Sequence, residues 1–565
     1  MTNLIRRNTV VRATFISAIA AAMLTTTSIP ATAAGAFDDA LRFDAGAFDT
    51  LTVDLDGQAV EVRRYEVVYV GKPIEMDAIQ PSRGVPPNGA PDNGEGRPLE
   101  DPLAFHKMIV YVPTTSVDNA DNAIILHVNN SGWFSSPVAD RIEEGGSYSS
   151  TSDTDPIGAA LRAGYVIVSA GTRSRSALAA DGTFAGKAPA PVVDAKAIVR
   201  YLRLNDDVIP GSAERIVISG TSGGGALSAA VAASGNDADY YPYLAEIGAA
   251  GIDAEGNSSL ADDVFATIAY CPITDLGHAD IAYEWQFAGI RTAQNTIAND
   301  YTELAQEASK TLADAYPAYL ESLSLKTEDG SPLTSETMQQ AILAAVRRET
   351  EDAIARGVAI PAIGEDFELP NRDQTMAVVN DWLTVENGAI VDIDYEKYLG
   401  FVTRAAALKI VPAFDATANT DHEGLRGENS LFGGPDVPYA NFTDYSWNNN
   451  QVQGDGAGPD DTGLQWADYV AQDDALVAEQ LRLIDPMSHL GTESDAAPYW
   501  YLRHGMIDRD TSFAVELGLY YAVLNDETVE DANFRLTWMR PHSGNYDVQE
   551  AYAWLASKLA EAGNP

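Results

Sequence analysis

Apolar and polar positions along this chain fall into distinct regimes, and each predicts a different kind of element. Residues 51–70 alternate with a period of two, and Asp56-Gly57 interrupts them, which predicts a β-hairpin with a two-residue turn. Residues 79–103 lose the alternation and are rich in Pro and Gly, with Pro86-Pro87-Asn88-Gly89 among them, the composition of an exposed linker. From residue 104 short continuous apolar runs take over: Met108–Val112, Ala123–Val128, Tyr165–Ala170, Ile216–Ile218 and Val264–Tyr270. Between them stand segments of helical spacing. Residues 190–205 carry Val193, Ala197, Val199 and Leu202 on one side, and 224–233 are small and apolar. Strands without a polar face, alternating with helices, predict a parallel sheet covered on both sides.

The rhythm stops near residue 275. Long helices are expected at 296–325 and 335–357, the second with Met338, Ile342, Val346 and Ile354 near helical spacing and Gly357 as its stop. Irregular stretches follow, including Gly454-Asp455-Gly456-Ala457-Gly458-Pro459-Asp460-Asp461. That run is read as a flexible loop; a calcium site is the alternative, although the spacing fits no EF-hand. The strand–helix rhythm returns at Tyr499–Leu502 and Phe534–Trp538, and residues 547–561 close with a helix. The expected class is therefore α/β. A core of mostly parallel sheet flanked by helices spans 104–274 and 485–565. A large, mainly helical insertion at 275–484 acts as a lid, and a hairpin with its linker occupies 34–103. No internal repeat is present.

Charge and composition narrow the class. Arg6, Arg7 and Arg12, an apolar run from Ala13 to Leu24 and Ala31-Thr32-Ala33 make residues 1–33 an export signal, so the expected location is extracellular or periplasmic. No cysteine follows the apolar run to carry a lipid anchor, and no second long apolar span exists. Lys and Arg total 36 against 82 Asp and Glu, a net charge of −46. Such a charge argues against nucleic acid and anionic membrane as partners. The one cysteine, Cys271, excludes an internal disulfide, and its apolar setting predicts a small buried hydrophobe.

Candidate chemistry centres on Gly220-Thr221-Ser222-Gly223-Gly224, between an expected strand and an expected helix. A sharp strand-to-helix turn needs small neighbours, lifts a serine hydroxyl off the sheet edge and points a helix N-terminus at it. Ser222 is therefore the candidate nucleophile, and it needs a base. Of seven histidines, only His542 follows the last expected strand and precedes the final helix, where the base of such a fold lies. Asp508 closes the preceding strand segment and is the expected acid. Asp510 is its rival, unless it merely caps a helix over 510–523. Two backbone N–H groups must hold the oxyanion. One is expected from Gly223 and the other from Ser131, Gly132 or Trp133 in the loop after 123–128, with Gly132 taken first.

Several longer motifs accompany these residues: Tyr270-Cys271-Pro272-Ile273-Thr274-Asp275, Pro412-Ala413-Phe414-Asp415, Gly427-Glu428-Asn429, Arg503-His504-Gly505-Met506-Ile507-Asp508-Arg509-Asp510-Thr511 and His542-Ser543-Gly544-Asn545-Tyr546-Asp547. Together they resemble the bacterial tannases, kin of feruloyl esterases within the α/β-hydrolase superfamily, over about residues 105–560. The resemblance implies an α/β-hydrolase core and a cofactor-free serine carboxylesterase that cleaves galloyl esters to gallic acid. It implies the triad Ser222, Asp508 and His542. It further implies that Lys409, Glu428 and Asp510 grip the phenolic hydroxyls, with Glu423 as the alternative to Glu428. Carboxylates accept from phenolic O–H groups and an ammonium donates to the ring oxygens. Two other readings stay open: a feruloyl or chlorogenate esterase, whose ring needs fewer polar partners, and a non-catalytic secreted binding protein on the same scaffold.

Overall fold

A ten-stranded sheet forms the centre of the computed structural model, which describes residues 34–81, 96–371, 374–416, 427–450 and 458–563. Its strands run in the spatial order Asp531–Thr537, Tyr499–Gly505, Ala266–Tyr270, Ile216–Thr221, Ile124–His127, Val166–Ala170, Lys107–Pro113, Gln58–Val68, Asp49–Leu55 and Ser147–Tyr148. The first six are parallel to one another. Lys107–Pro113 and the N-terminal hairpin extend them antiparallel, and the hairpin turns where expected, with φ of 53° at Asp56 and 80° at Gly57.

The continuous apolar runs are explained by burial on both faces. Ile124, Leu126, Val166, Val168, Ile216 and Ile218 pack into one cluster with the helices Ala190–Leu204, Gly223–Ala233 and Phe513–Asn525. Ile125, Ile167, Val217 and Tyr501 point the other way and pack with Pro156–Ala163 and Val548–Ala562. Successive residues of a strand alternate faces, so a strand covered on both sides shows no regular alternation of apolar and polar positions.

The insertion leaves the sheet after Tyr270 and returns at Tyr499, on the neighbouring strand. Met338, Ile342 and Val346 of the helix Ser335–Ala355 join the sheet's own apolar cluster, and residues from Ala34 on form one compact unit. Gly357 follows that helix with a φ of 85°. Three expectations need correction. The helix expected from 296 begins only at Glu303, because the Thr302 hydroxyl accepts from Ala305 N–H, while 296–302 turns irregularly with φ of 59° at Ala298. The helix expected from 510 begins at Phe513, capped by Ser512. The irregular stretch after Gly357 holds two hairpins, Asp366–Asn371 with Gln374–Val379 and Leu383–Glu386 with Ala389–Ile393. Among the described residues no helix is long and apolar enough to cross a membrane. The leader at 1–33, residues 82–95 of the expected linker and 454–457 of the Gly/Asp-rich loop lie outside the described residues.

Candidate active site

The strand Ile216–Thr221 ends in a tight turn onto the helix Gly223–Ala233, with Ser222 at φ 62°, ψ −125°. A non-glycine residue held there carries strain of about 1–3 kcal/mol, which the surrounding structure must over-determine. It does: Ser222 N–H donates to Tyr270 O at 2.8 Å, and Ser222 O accepts from Ala226 N–H at 2.9 Å. A Cβ on Gly220 would lie 2.3 Å from Gly224 O, and one on Gly223 would lie 2.2 Å from Trp133 N, so the turn closes only on glycine.

Ser222 Oγ stands 2.8 Å from His542 Nε2, and His542 Nδ1 stands 2.7 Å from Asp508 Oδ2. With Nδ1–H directed at Asp508, Nε2 is left to accept the serine proton. The other Asp508 oxygen, Oδ1, accepts from Asp510 N–H at 2.7 Å. Asp508 is fully buried and His542 one-fifth exposed. Burial opposes charge on Asp508, but the His542 and His504 imidazoles outweigh it and hold the carboxyl well below its ordinary range. Burial likewise opposes charge on His542, and the Asp508 and Asp510 carboxylates overcome it and push the imidazole up.

Gly223 begins its helix, so its N–H has no intrahelical acceptor, and it abuts the segment Asn130–Trp133. Within that segment Trp133 N–H is already committed to Asn130 O at 2.7 Å. Gly132, in the left-handed region at φ 60°, and Ser131 are the remaining candidates from the sequence.

A cavity of about 810 Å³ opens beside His542, and Lys409, Glu428 and Asp510 all line it. Asp510 precedes the helix Phe513–Asn525 and does not cap it; its carboxylate pairs with Arg509 and lies 4.0 Å from His542 Nδ1. Glu428 is buried and pairs with Arg175 at 3.2 Å. The Lys409 ammonium sits 3.9 Å over the Phe414 ring, and Lys409 N–H donates to the Tyr283 hydroxyl, which itself donates to Arg509 O at 2.8 Å. Glu423 lies outside the described residues. Arg175, Arg509 and Arg540 also line the cavity and escaped the sequence reading. Arg175 follows the strand Val166–Ala170 at the sheet's carboxyl edge, where ligands of such sheets bind, and that position was the available signal. Cys271 is buried as expected, but beside the site, donating its thiol to Ser543 O at 3.2 Å.

Buried polar groups hold the segments that carry Lys409 and Glu428. Asp415 accepts from Asn429 and Asn441 side chains, from Phe442 N–H at 2.8 Å and from Thr443 N–H at 2.7 Å. Asp280 accepts from Phe414 N–H at 2.7 Å and Asp415 N–H at 3.0 Å. Lys187 Nζ donates to Ser430 O, Phe432 O and Pro438 O at 3.0, 2.8 and 3.0 Å. Burial pulls that ammonium down to about 7.

The mostly parallel sheet, the strained serine turn and the loops converging on it define an α/β-hydrolase fold. The BD-FAE family model, an esterase model, matches residues 108–316. Among solved structures, the tannin acyl hydrolase from Lactobacillus plantarum is 29% identical with a TM-score of 0.70, covering 93% of this chain and all of its own. A tannin acyl hydrolase in complex with ethyl gallate is 29% identical (TM-score 0.69; 92% of this chain, 99% of that one). The tannase of Fusobacterium nucleatum is 28% identical (TM-score 0.69; 92% and 99%). No curated protein matches the chain. The resemblance carried by the motifs therefore holds: the chain is tannase-like, and its class is that of an ester hydrolase.

Proposed function

We propose that the chain is an exported serine carboxylesterase that releases gallic acid from galloyl esters through a galloyl-enzyme. The observation that carries this reading is the Ser222–His542–Asp508 hydrogen-bond chain beside the cavity that Lys409, Glu428 and Asp510 share. Ser222 Oγ attacks the ester carbonyl carbon while His542 Nε2 takes its proton. The oxyanion is held by Gly223 N–H and the Gly132 segment. Collapse of the tetrahedral adduct breaks the bond to the alcohol oxygen, which receives the proton from His542. Water then attacks the acyl-enzyme, His542 takes the water proton and returns it to Ser222 Oγ, and gallate leaves.

Lys409, Glu428 and Asp510 supply one cation and two carboxylates to a ring bearing several hydroxyls. A site built so rejects a ring that leaves those groups unpaired. The solved relative with ethyl gallate supports this choice of acyl group. The insertion serves as the lid, because Lys409 and Glu428 come from it and His542 from the core. Export rests on the leader at 1–33. The test is ester profiling of wild type and Asp510→Ala on methyl gallate against methyl ferulate. The expected result is a gallate preference that collapses in the variant. Equal turnover of both esters by the wild type favours the feruloyl reading, and a preference unchanged in Asp510→Ala removes Asp510 from ring recognition.

A further inference from the structure

The strand Tyr499–Gly505 brings a second histidine to the back of the candidate triad. His504 is fully buried, with Nδ1 3.6 Å from Asp508 Oδ2 and 3.4 Å from Glu516 Oε1. Glu516, in the first turn of the helix Phe513–Asn525, is itself only 1% exposed. Both ring nitrogens of His504 and both carboxyl oxygens of Glu516 are buried without completing a hydrogen bond among the described residues. Four such atoms beside one catalytic carboxylate call for an explanation, because an unpaired buried polar group costs about 1–3 kcal/mol.

Geometry alone does not need His504. Asp508 already takes Nδ1 of His542 on one oxygen and Asp510 N–H on the other, both at 2.7 Å. At 3.6 Å, His504 adds no hydrogen bond to Asp508, so its effect on that carboxylate is electrostatic. Two carboxylates facing one imidazole nitrogen in a dry interior repel each other unless a proton lies between them. Other groups against His504 are the Phe513 ring, edge-on at 5.4 Å, and the Cys271 thiol at the end of the neighbouring strand; neither supplies a charge to replace that proton.

We propose that His504 and Glu516 are positioning residues of this site: a buried pair that shares a proton behind Asp508 and sets the field in which Asp508 holds His542. Burial and the Asp508 charge push the Glu516 carboxyl up to about 7, with His504 opposing them. Burial disfavours charge on His504, and Asp508 and Glu516 reverse that, raising it well above the ordinary imidazole value. The cationic ring offsets part of the negative field of Asp508, so His542 surrenders its proton at a lower pH than Asp508 alone would allow.

The proposal rests on the triad reading, and one reagent separates the two. A fluorophosphonate labels Ser222 only if the triad works, with Ser222→Ala as control, and the pH dependence of its inactivation rate reports the protonation of His542 independently of ester binding. His504→Gln is expected to keep labelling but to move the acid limb of that profile upward by about half a unit to one unit. Glu516→Gln is expected to move it downward by less. A limb left in place by both variants, or an equal loss of rate at every pH, overturns the pair. Absence of labelling in the wild type overturns the triad instead. Neutron diffraction from wild-type crystals needs no substitution: deuterons on both His504 nitrogens are expected, the one on Nδ1 directed between the two carboxylates, and a ring with only one deuteron defeats the proposal.

Discussion

The sheet edge and the insertion meet at one cavity, yet they are held by different physics. Ser222 is placed by backbone shape: a strand, a glycine-only turn and a helix start, packed on both sides by apolar residues. Lys409 and Glu428 are placed by buried polar ties, with Asp415, Asp280 and Lys187 holding main-chain groups of residues 414–443. Under the proposed roles, the difference teaches that reactivity and ring recognition can be damaged separately. Apolar packing is forgiving of volume-conserving change, while a carboxylate that accepts four or more hydrogen bonds has no isostere without them.

Four substitutions test that separation. The largest effect belongs to the turn: under the triad reading, Ser222→Ala lowers kcat by about 10⁴-fold or more for gallate and simple aryl esters alike. Retained selective loss on gallate alone would mean that the serine is not the nucleophile. Next, Asp415→Ala strands buried donors and lowers stability by about 3–5 kcal/mol in chemical denaturation. It should abolish gallate preference while phenyl acetate hydrolysis survives below the unfolding midpoint. If both activities fall together, the insertion and sheet edge are one recognition unit. Third, Lys409→Met should cost about 2 kcal/mol in kcat/KM for methyl gallate and little for phenyl acetate, read from steady-state kinetics.

The smallest effect is on pH. Carboxylates at Asp508 and Asp510 favour protonated His542, so the base becomes available only as pH rises past its elevated value. The acid limb of kcat/KM for phenyl acetate is therefore expected above about 6.5. Asp510→Asn removes one of the two charges and should move the limb down by up to about one unit. A limb that stays put would show that Asp510 does not act on His542 across their 4.0 Å separation.

Legibility in the sequence follows the same division. The parallel strands were readable because burial on both faces leaves uninterrupted apolar runs, and the serine turn because its glycines are a steric requirement. The meeting of His542 and Asp508 beside Ser222 was expected from chain order. The hairpins of the insertion were missed because their strands are short; the first buries only Phe367, Leu369 and Val378 among its described residues, and the second is largely out of the core, with Val391 56% accessible, although Asn387-Gly388, at φ 51° and 76°, was a turn signal in plain view. The helix expected from 296 was overextended because Thr302 reads as an ordinary polar position until its hydroxyl is seen capping. Arg175 and Arg509 were given no role for another reason: a surface arginine and one paired at a cavity wall look alike in a sequence, and only the place of Arg175 after a sheet strand set it apart. His504 and Glu516 meet only because a strand and the following helix fold onto each other.

The clamp around Asp415 has a consequence for how such a chain tolerates change. Asp415 and Asn429 are tied directly, and Ala416 N–H donates to Asn429 Oδ1 at 3.1 Å. Glu428 N–H also donates to Phe414 O at 2.8 Å, so Glu428 is registered against Asp415 from both sides. A single substitution in this knot, at Asp415, Asn429 or Asn441, therefore displaces a cavity residue that the substituted side chain does not itself touch.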